Sequence, residues 1–213
     1  MKDIVLEEKY ILEYIREMIN DFKVKSIEVN NIRYHHNSSY SEAPSILKHG
    51  ILSLSELNRL GIRNYSSEFL RTMNDTDSHI NGNDAISLSV VGLTDLSKDE
   101  FEYNPYYPTK VDFIVSSDVR AHRSSIHYGN EYICYDNIGI DKLMSVDVRL
   151  FDLIKITTPA TTIKDIIDKY NSLKGIALAI KQSQLNIPFR EMSNGNLTMD
   201  VDKVSKTPKL ILK

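Results

Sequence analysis

Two amphipathic stretches bracket a series of short β-prone segments, and this arrangement limits the folds open to the chain. Apolar residues recur at helical spacing over residues 4–22 and again over residues 160–183. The strands predicted between these helices are short and separated by turn residues: 85–91, 111–116, 131–135 and 144–151. This order predicts an α+β fold in which helices flank a mainly antiparallel sheet.

The segments before and after these strands predict further elements. A β-prone stretch at residues 25–37 leads into SEAPSILKHGI, where Pro44 suits the first turn of a short helix and Gly50 suits its C-terminal cap. Residues 55–73 predict another helix. The helical spacing of apolar residues is then lost in SEFLRTMNDTDSHINGND, which ends in a run of loop-forming residues. The tail from residue 186 is polar until VSKTPKLILK, which predicts a last strand.

Length and composition indicate a soluble globular domain. The chain has 213 residues, of which 41% are hydrophobic and 26% are charged, and this balance is ordinary for such a domain. We expect an N-terminal helix over residues 1–25 packed on a core over residues 26–158, with residues 159–213 belonging to the same domain. The acidic N-terminal helix has no continuous apolar segment, so we expect a cytoplasmic protein without a signal peptide or a membrane partner, although export by another route stays open.

Charge and cysteine content exclude several kinds of site. The formal net charge is −3, so no overall basic field attracts nucleic acid, although a local basic patch stays open. Cys134 is the single cysteine, and its apolar surroundings favour a buried, unreactive thiol. His35 and His36 are adjacent and point to opposite faces of a strand, so they cannot jointly hold a metal ion, and no metal is expected.

Three short segments carry the chemistry, while GxGxxG, GxxxxGK[ST], HExxH and GxSxG are absent from the sequence. The first is YHHNS at residues 34–38, which runs into SILKHGI at residues 45–51. The second is the predicted strand AISLS at residues 85–89. The third begins at Glu131 in NEYIC and continues through a break to SVDV at residues 145–148.

In this order and spacing the three segments resemble the ADP-ribosyltransferase superfamily. YHHNS followed by SILKHGI is similar to the YHGTS-type opening of that family, with His36 and Asn37 where glycine and threonine are usual and one extra residue before the helix. That insertion leaves open which of the two histidines is the equivalent one, and we favour His35. The resemblance covers residues 29–151 and implies a split, mainly antiparallel ADP-ribosyltransferase core that uses NAD as the donor.

The resemblance implies a role for each segment. Glu131 would be the catalytic carboxylate, because a carboxylate beside the ribose stabilises positive charge that develops when nicotinamide departs. The residues implied in NAD binding are His35, His36, Asn37, Ser38, Ser87, Ser89 and Tyr106. Ser39 could replace Ser38, and Tyr103 or Tyr107 could replace Tyr106. The pyrophosphate could meet Arg33, Arg120 or Arg123.

The acceptor is less well defined than the donor. Gly129 stands two residues before Glu131, where arginine-modifying members carry an acidic or amide residue, so arginine is not the expected acceptor. A protein or nucleic-acid acceptor stays open. Two alternatives also remain: an RNA 2′-phosphotransferase, which would need more arginine and histidine ligands for phosphate, and a non-catalytic binding module on the same fold.

Overall fold

The computed structural model describes residues 3–26, 33–76, 82–91, 111–123, 131–148, 163–191 and 197–213. The strands are β1 (Ile4–Leu6), β2 (Lys23–Ser26), β3 (Arg33–Ser38), β4 (Ile86–Val91), β5 (Val111–Val115), β6 (His122–Arg123), β7 (Glu131–Cys134), β8 (Leu143–Val148), β9 (Phe189–Glu191), β10 (Leu197–Met199) and β11 (Leu210–Leu212). The helices are α1 (Glu8–Phe22), α2 (Ala43–His49), α3 (Leu54–Arg59), α4 (Ser67–Thr76), α5 (Ile163–Ser183) and α6 (Val201–Ser205).

Nine of the described strands hydrogen-bond in one series, in the order β2-β10-β9-β8-β5-β3-β4-β7-β6. Every neighbouring pair in the series is antiparallel except β8 and β9, which are parallel. Strands β1 and β11 form a separate parallel pair. The prediction of an α+β fold with a mainly antiparallel sheet is confirmed.

The hydrophobic core joins the middle of the sheet to the helices. Val111, Phe113 and Val115 share one face of β5 and are buried in the core, while Asp112 is buried on the other face. Helix α5 contributes a buried stripe at helical spacing: Ile166, Ile167, Tyr170, Leu173, Ile176, Ala177 and Ile180. It packs against α1, α2, α6 and β11. The helix predicted over residues 160–183 is therefore present in its described part.

The predicted N-terminal helix begins later than residue 4. Residues Ile4–Leu6 form β1, which pairs in parallel with β11, and the helix itself starts at Glu8. The backbone N–H of Ile4 donates to the carbonyl of Lys209 at 3.0 Å, and the N–H of Lys213 donates to the carbonyl of Leu6 at 3.1 Å. Pairing with a strand near the opposite end of the sequence overrides a local helical pattern that includes Ile4.

The single helix predicted over residues 55–73 is in fact two helices. Helix α3 ends at Arg59, and Gly61 adopts a φ of 66°, a left-handed conformation that glycine adopts without steric cost. The backbone N–H groups of Ile62 and Arg63 both donate to the carbonyl of Leu57, which closes the turn. Helix α4 then continues to Thr76, beyond the point where the periodicity is lost.

The polar tail contains more structure than the sequence predicts. Besides the predicted last strand, it forms β9, β10 and α6, and two of these are strands of the main sheet. Strand β9 pairs with β8 in a register that sets Arg190 opposite Asp147. The C-terminal segment is thus a part of the sheet and supplies two of its nine strands.

A buried ion pair fastens β9 to β8. The Arg190 guanidinium donates to both carboxylate oxygens of Asp147, and its Nε–Oδ1 distance is 2.7 Å. Ser145 Oγ accepts from Arg190 Nη2 and donates to Asp147 Oδ1, both at 3.1 Å. Arg190 and Asp147 are each 4% exposed, so solvent screens the pair very little. Removing one partner would leave the other charge buried without compensation.

Arg190→Ala is expected to lower the free energy of unfolding by about 3–5 kcal/mol, because the Asp147 carboxylate then stays buried without its cation. The matched control is Lys181→Ala, which removes an exposed ion pair with Asp202 and is expected to change the free energy of unfolding far less, because solvent screens the exposed charges. Urea denaturation followed by circular dichroism measures both values. A loss in Arg190→Ala as small as that of the control would contradict this account.

Candidate functional site

Three residues lie in one register row across three neighbouring strands. His35 of β3 is opposite Ser89 of β4, and Ser89 is opposite Glu131 of β7. Residues opposite each other in an antiparallel pair share a face of the sheet. The three segments singled out in the sequence thus supply adjacent strands, and one residue from each belongs to this row, called the three-strand row below.

Glu131 is held in place at the start of β7. Ser87, two residues before Ser89 on β4, donates a hydrogen bond from its Oγ to Glu131 Oε1 at 2.7 Å. Ser87 and Ser89 share a face because they are two residues apart on a strand. The Glu131 side chain is half-buried. A carboxylate with a fixed orientation therefore stands beside two serines, at the end of a strand that is paired on both sides.

Strand alternation separates the two adjacent histidines. Tyr34 precedes His35, Tyr132 follows Glu131, and the two rings form an edge-to-face pair with centroids 5.4 Å apart. This contact marks the face opposite the three-strand row, because successive residues of a strand point to opposite faces. His36 alternates with His35 and belongs to the tyrosine face. The register therefore assigns the two histidines to different surroundings.

The His36 imidazole contacts the backbone of β4. Its Nδ1 lies 3.0 Å from the carbonyl oxygen of Ser87. A carbonyl oxygen only accepts, so the proton of this hydrogen bond is on Nδ1. The backbone of Ser87 therefore contacts His36, while the side chain of Ser87 bonds to Glu131 on the other face.

A cleft of about 170 Å³ opens between β3, β4 and the helices α2 and α3, and is called the α2–α3 cleft below. Its lining includes His36 and Ser38 from β3, which share the face opposite the three-strand row. The other lining residues are Glu42, Ser45, Ile46, Gly50, Ile51, Leu52, Leu54, Leu57, Arg63, Tyr65, Ala85, Ile86 and Ser87. The floor is apolar, while an ion pair and several hydroxyl groups supply polar contacts.

Glu42 and Arg63 form the ion pair of the cleft. Arg63 Nη1 donates to Glu42 Oε1 at 2.5 Å, and Glu42 Oε2 accepts from the Ser38 hydroxyl at 3.3 Å and from the Ser39 N–H at 3.2 Å. Burial raises the pKa of Glu42, but the hydrogen bonds from Arg63 and Ser39 outweigh it and hold that pKa below its usual value. Glu42 is therefore ionised near neutral pH and orients the guanidinium.

The predicted site residues do not all come together. His35, Ser89 and Glu131 belong to the three-strand row, and His36 and Ser38 line the α2–α3 cleft. Ser87 belongs to both groups, because it lines the cleft and its hydroxyl bonds to Glu131. Asn37 is opposite Asp112 of β5, and only the backbone positions of His35 and Asn37 are described. Tyr106 lies outside the described residues, as do Tyr103 and Tyr107.

The remaining candidates are peripheral. Arg120 and Arg123 are exposed, and Arg123 is opposite Tyr132 at the β6 edge of the sheet. Only the backbone of Arg33 is described, opposite Val91. Cys134 is fully buried, and burial raises the pKa of its thiol, which suits the unreactive role expected from the sequence.

Sequence reasoning missed Glu42, Arg63 and Tyr65. Glu42 lies in SEAPSILKHGI, which predicts only a short helix, and Arg63 and Tyr65 fall inside the single helix predicted over residues 55–73. The ion pair joins residues 21 positions apart and depends on the turn after α3. A charged residue in such a segment ordinarily belongs to a solvated surface, so no local pattern marks these three residues.

Comparisons with protein-family models and with curated proteins find no match to this chain. Within the described ranges, no three histidine, cysteine, aspartate or glutamate side chains are arranged to hold a metal ion. No helix of the described part is long and apolar enough to cross a membrane.

Glu42→Gln is expected to reduce the free energy of unfolding by about 1 kcal/mol at about pH 7, a value kept small because the ion pair is partly exposed. The pKa of Glu42 is lowered in the folded state, so its ionised form stabilises the fold at neutral pH. This contribution is lost as the pH falls below about 4. Urea denaturation across this pH range measures the difference between wild type and variant, and a difference that grows on acidification would contradict the assignment.

Proposed function

We propose that this chain is an NAD-dependent ADP-ribosyltransferase that breaks the bond between nicotinamide and ribose and transfers ADP-ribose to a macromolecular acceptor. The observation that carries the proposal is the orientation of Glu131 by Ser87 at the end of the three-strand row. The resemblance drawn from sequence names a histidine strand, a serine strand and a glutamate strand. In support of it, these are neighbouring strands, with His35, Ser89 and Glu131 in one row.

The reaction needs a fixed negative charge beside the ribose. As nicotinamide leaves as a neutral ring, positive charge develops on the sugar, and a preoriented carboxylate stabilises that charge. Glu131 meets this requirement because its Oε1 already accepts a hydrogen bond from Ser87 at 2.7 Å. The new bond forms between the ribose carbon and the acceptor nucleophile, and Glu131 takes the proton that the nucleophile loses.

The other residues of the row would bind and orient the donor. Ser87 and Ser89 add hydroxyl groups beside Glu131, where they can bind the polar edge of the nicotinamide or a ribose hydroxyl. His35 is in the same row, two strands from Glu131. Neighbouring strands are about 4.8 Å apart, so the positions of His35 and Glu131 are separated by about 10 Å. This distance suits a ligand that extends across the row better than a single small group.

Arginine is not favoured as the acceptor in this proposal. Gly129 has no side chain that could hold an incoming guanidinium near Glu131. A nucleophile of another kind, in a protein or a nucleic acid, would approach the same carboxylate. The acceptor can therefore be identified by tracing labelled ADP-ribose, and the donor reaction can be tested by measuring nicotinamide release from NAD.

Glu131→Gln is expected to lower the rate of nicotinamide release from NAD by about 10²-fold or more, because the amide keeps the size of the side chain but removes its charge. The assay measures nicotinamide released by the purified chain, with and without cell lysate as a source of acceptor. Glu68→Gln, an exposed glutamate of α4, is the matched control and should release nicotinamide at the wild-type rate. No release and no NAD binding by the wild type under either condition would refute the proposal.

His35→Ala is expected to raise KM for NAD by about ten-fold, whereas His36→Ala should change it less, because only His35 is in the row with Glu131. Steady-state nicotinamide release measures KM and kcat for both variants. Circular dichroism verifies that each variant keeps its fold. The reverse ranking would move the donor to the tyrosine face of the sheet.

A further inference from the structure

Strands β1 and β11 form a two-stranded sheet of their own, and its outer face is exposed in the described part of the chain. Leu210 of β11 is 1% exposed and packs in the core, so the residues that alternate with it point away from the core. Ile211 is 39% exposed, and Val5, its register partner on β1, is 54% exposed. These two side chains form the apolar centre of what is called the β1–β11 face below.

The β1–β11 face is held in place from behind. Asn171 of α5 donates from Nδ2 to the carbonyl of Leu210 at 3.1 Å and accepts from the Leu210 N–H at 2.9 Å. Its side-chain amide thus replaces a further strand along the edge of β11 that points away from β1. A partner strand is therefore excluded at this point of the edge, while the outer face stays accessible.

Charged residues flank the apolar centre in two columns of opposite sign. Two positions before and after the apolar residue, the side chains are acidic on β1 and basic on β11: Asp3 and Glu7, and Lys209 and Lys213. All four are exposed, and strand alternation directs them to the side of Val5 and Ile211. Of these four, only Glu7 forms an ion pair within the described ranges, with the exposed Lys9 at 3.2 Å. Exposed pairs of this kind are weak, so both columns are available to a partner.

This pattern is complementary to itself about one two-fold axis. Val5 is level with Ile211 in the parallel pair, so the charged positions before and after them are level as well. When a second copy is turned about an axis along the strands, its β1 covers β11 of the first copy. Each acidic residue then meets a lysine, and Val5 meets Ile211. An axis across the strands would instead set β1 on β1 and bring like charges together, which is unfavourable.

We propose that this chain forms a symmetric dimer in which the β1–β11 faces of two copies pack on each other about a two-fold axis parallel to the strands. Stacked sheets lie about 10 Å apart, so the apolar centres touch and the columns of opposite charge meet beside them. The face is small beside the roughly 20–30 residues that each partner of a stable interface contributes, so the dimer is weak. Neither strand belongs to the nine-stranded series that carries Glu131, and the dimer does not require the proposed transfer reaction.

Sedimentation velocity of the purified chain, from micromolar to millimolar concentration, measures the association. The wild type is expected to pass from monomer to dimer over this range, and added salt should weaken the dimer because it screens exposed charges. Ile211→Ser is expected to raise the dissociation constant by about ten-fold or more, since a two-fold axis counts the lost apolar contact twice. The matched control is Leu178→Ser, which changes a side chain of α5 that is 40% exposed and should dimerise as the wild type does.

Charge reversal tests whether the two columns make the contact. Lys209→Glu/Lys213→Glu makes both columns acidic, and Asp3→Lys/Glu7→Lys makes both basic, so each variant alone should stay monomeric. An equimolar mixture of the two variants should form a heterodimer, because every charged position then meets the opposite sign. Circular dichroism verifies that each variant keeps its fold.

Three results would overturn the proposal. The first is a wild type that stays monomeric at millimolar concentration, which is also the result expected if a different protein covers this face. The second is an Ile211→Ser variant that dimerises as tightly as Leu178→Ser, and the third is a mixture of the charge variants that associates no more than either variant alone. Glu131→Gln should dimerise normally even though it releases no nicotinamide, so the dimer and the proposed function fail independently.

Discussion

The buried pair of Arg190 and Asp147 is the interaction on which the alignment of the C-terminal strand β9 with the rest of the sheet depends. Two charges removed from water are tolerated only when they meet with good geometry, so β9 can lie beside β8 in just one alignment. Asp147 is in turn opposite Asp112 of β5, and Asp112 is opposite Asn37 of β3. A row of polar residues thus runs from the C-terminal segment to the strand that carries both histidines.

This row constrains the candidate site, although none of its members touches Glu131 in the described contacts. Asn37 is two residues from His35 on β3, so an alignment that fixes the position of Asn37 also fixes the position of His35. A slip of one residue between β3 and β5 would exchange the two faces of β3. It would set His35 or Asn37, instead of His36, opposite buried Phe113 and would bring Tyr34 and His36 to the face of Asp112. The observed alignment of β3 with β5 therefore keeps the row of Asn37, Asp112 and Asp147 together.

Periodicity predicted those elements that are long or that alternate clearly. Helix α5 has a buried stripe over 21 residues, and β5 is a short run of mostly β-branched and aromatic residues, so the local pattern was sufficient for both. The strands β1, β9 and β10 have only three residues each, which is too short for a period to be read. Each forms because a distant partner supplies its hydrogen bonds. Sequence alone gives no sign of a pairing such as that between Ile4 and Leu210.

In the candidate site, too, some residues could be predicted from the sequence and others could not. Glu131, Ser87 and Ser89 could be selected from their segments, and the structure joins Ser87 to Glu131 by a hydrogen bond. The sequence favours His35 over His36 without settling the choice, because an extra residue before α2 makes the alignment ambiguous. The register of β3 against β4 distinguishes them, and that register is a property of the whole sheet. Glu42 and Arg63 stayed hidden because their contact depends on the turn at Gly61.

Two adjacent histidines on one strand give the two faces of β3 different chemistry. The face of His35 carries a carboxylate fixed by a serine, and it is suited to stabilising positive charge. The face of His36 carries an apolar floor, Tyr65 and the ion pair of Glu42 and Arg63. Ser87 belongs to both surroundings, because its hydroxyl bonds to Glu131 while its carbonyl accepts from His36. A displacement of β4 at Ser87 would therefore change both the orientation of the Glu131 carboxylate and the contact of His36 with the backbone.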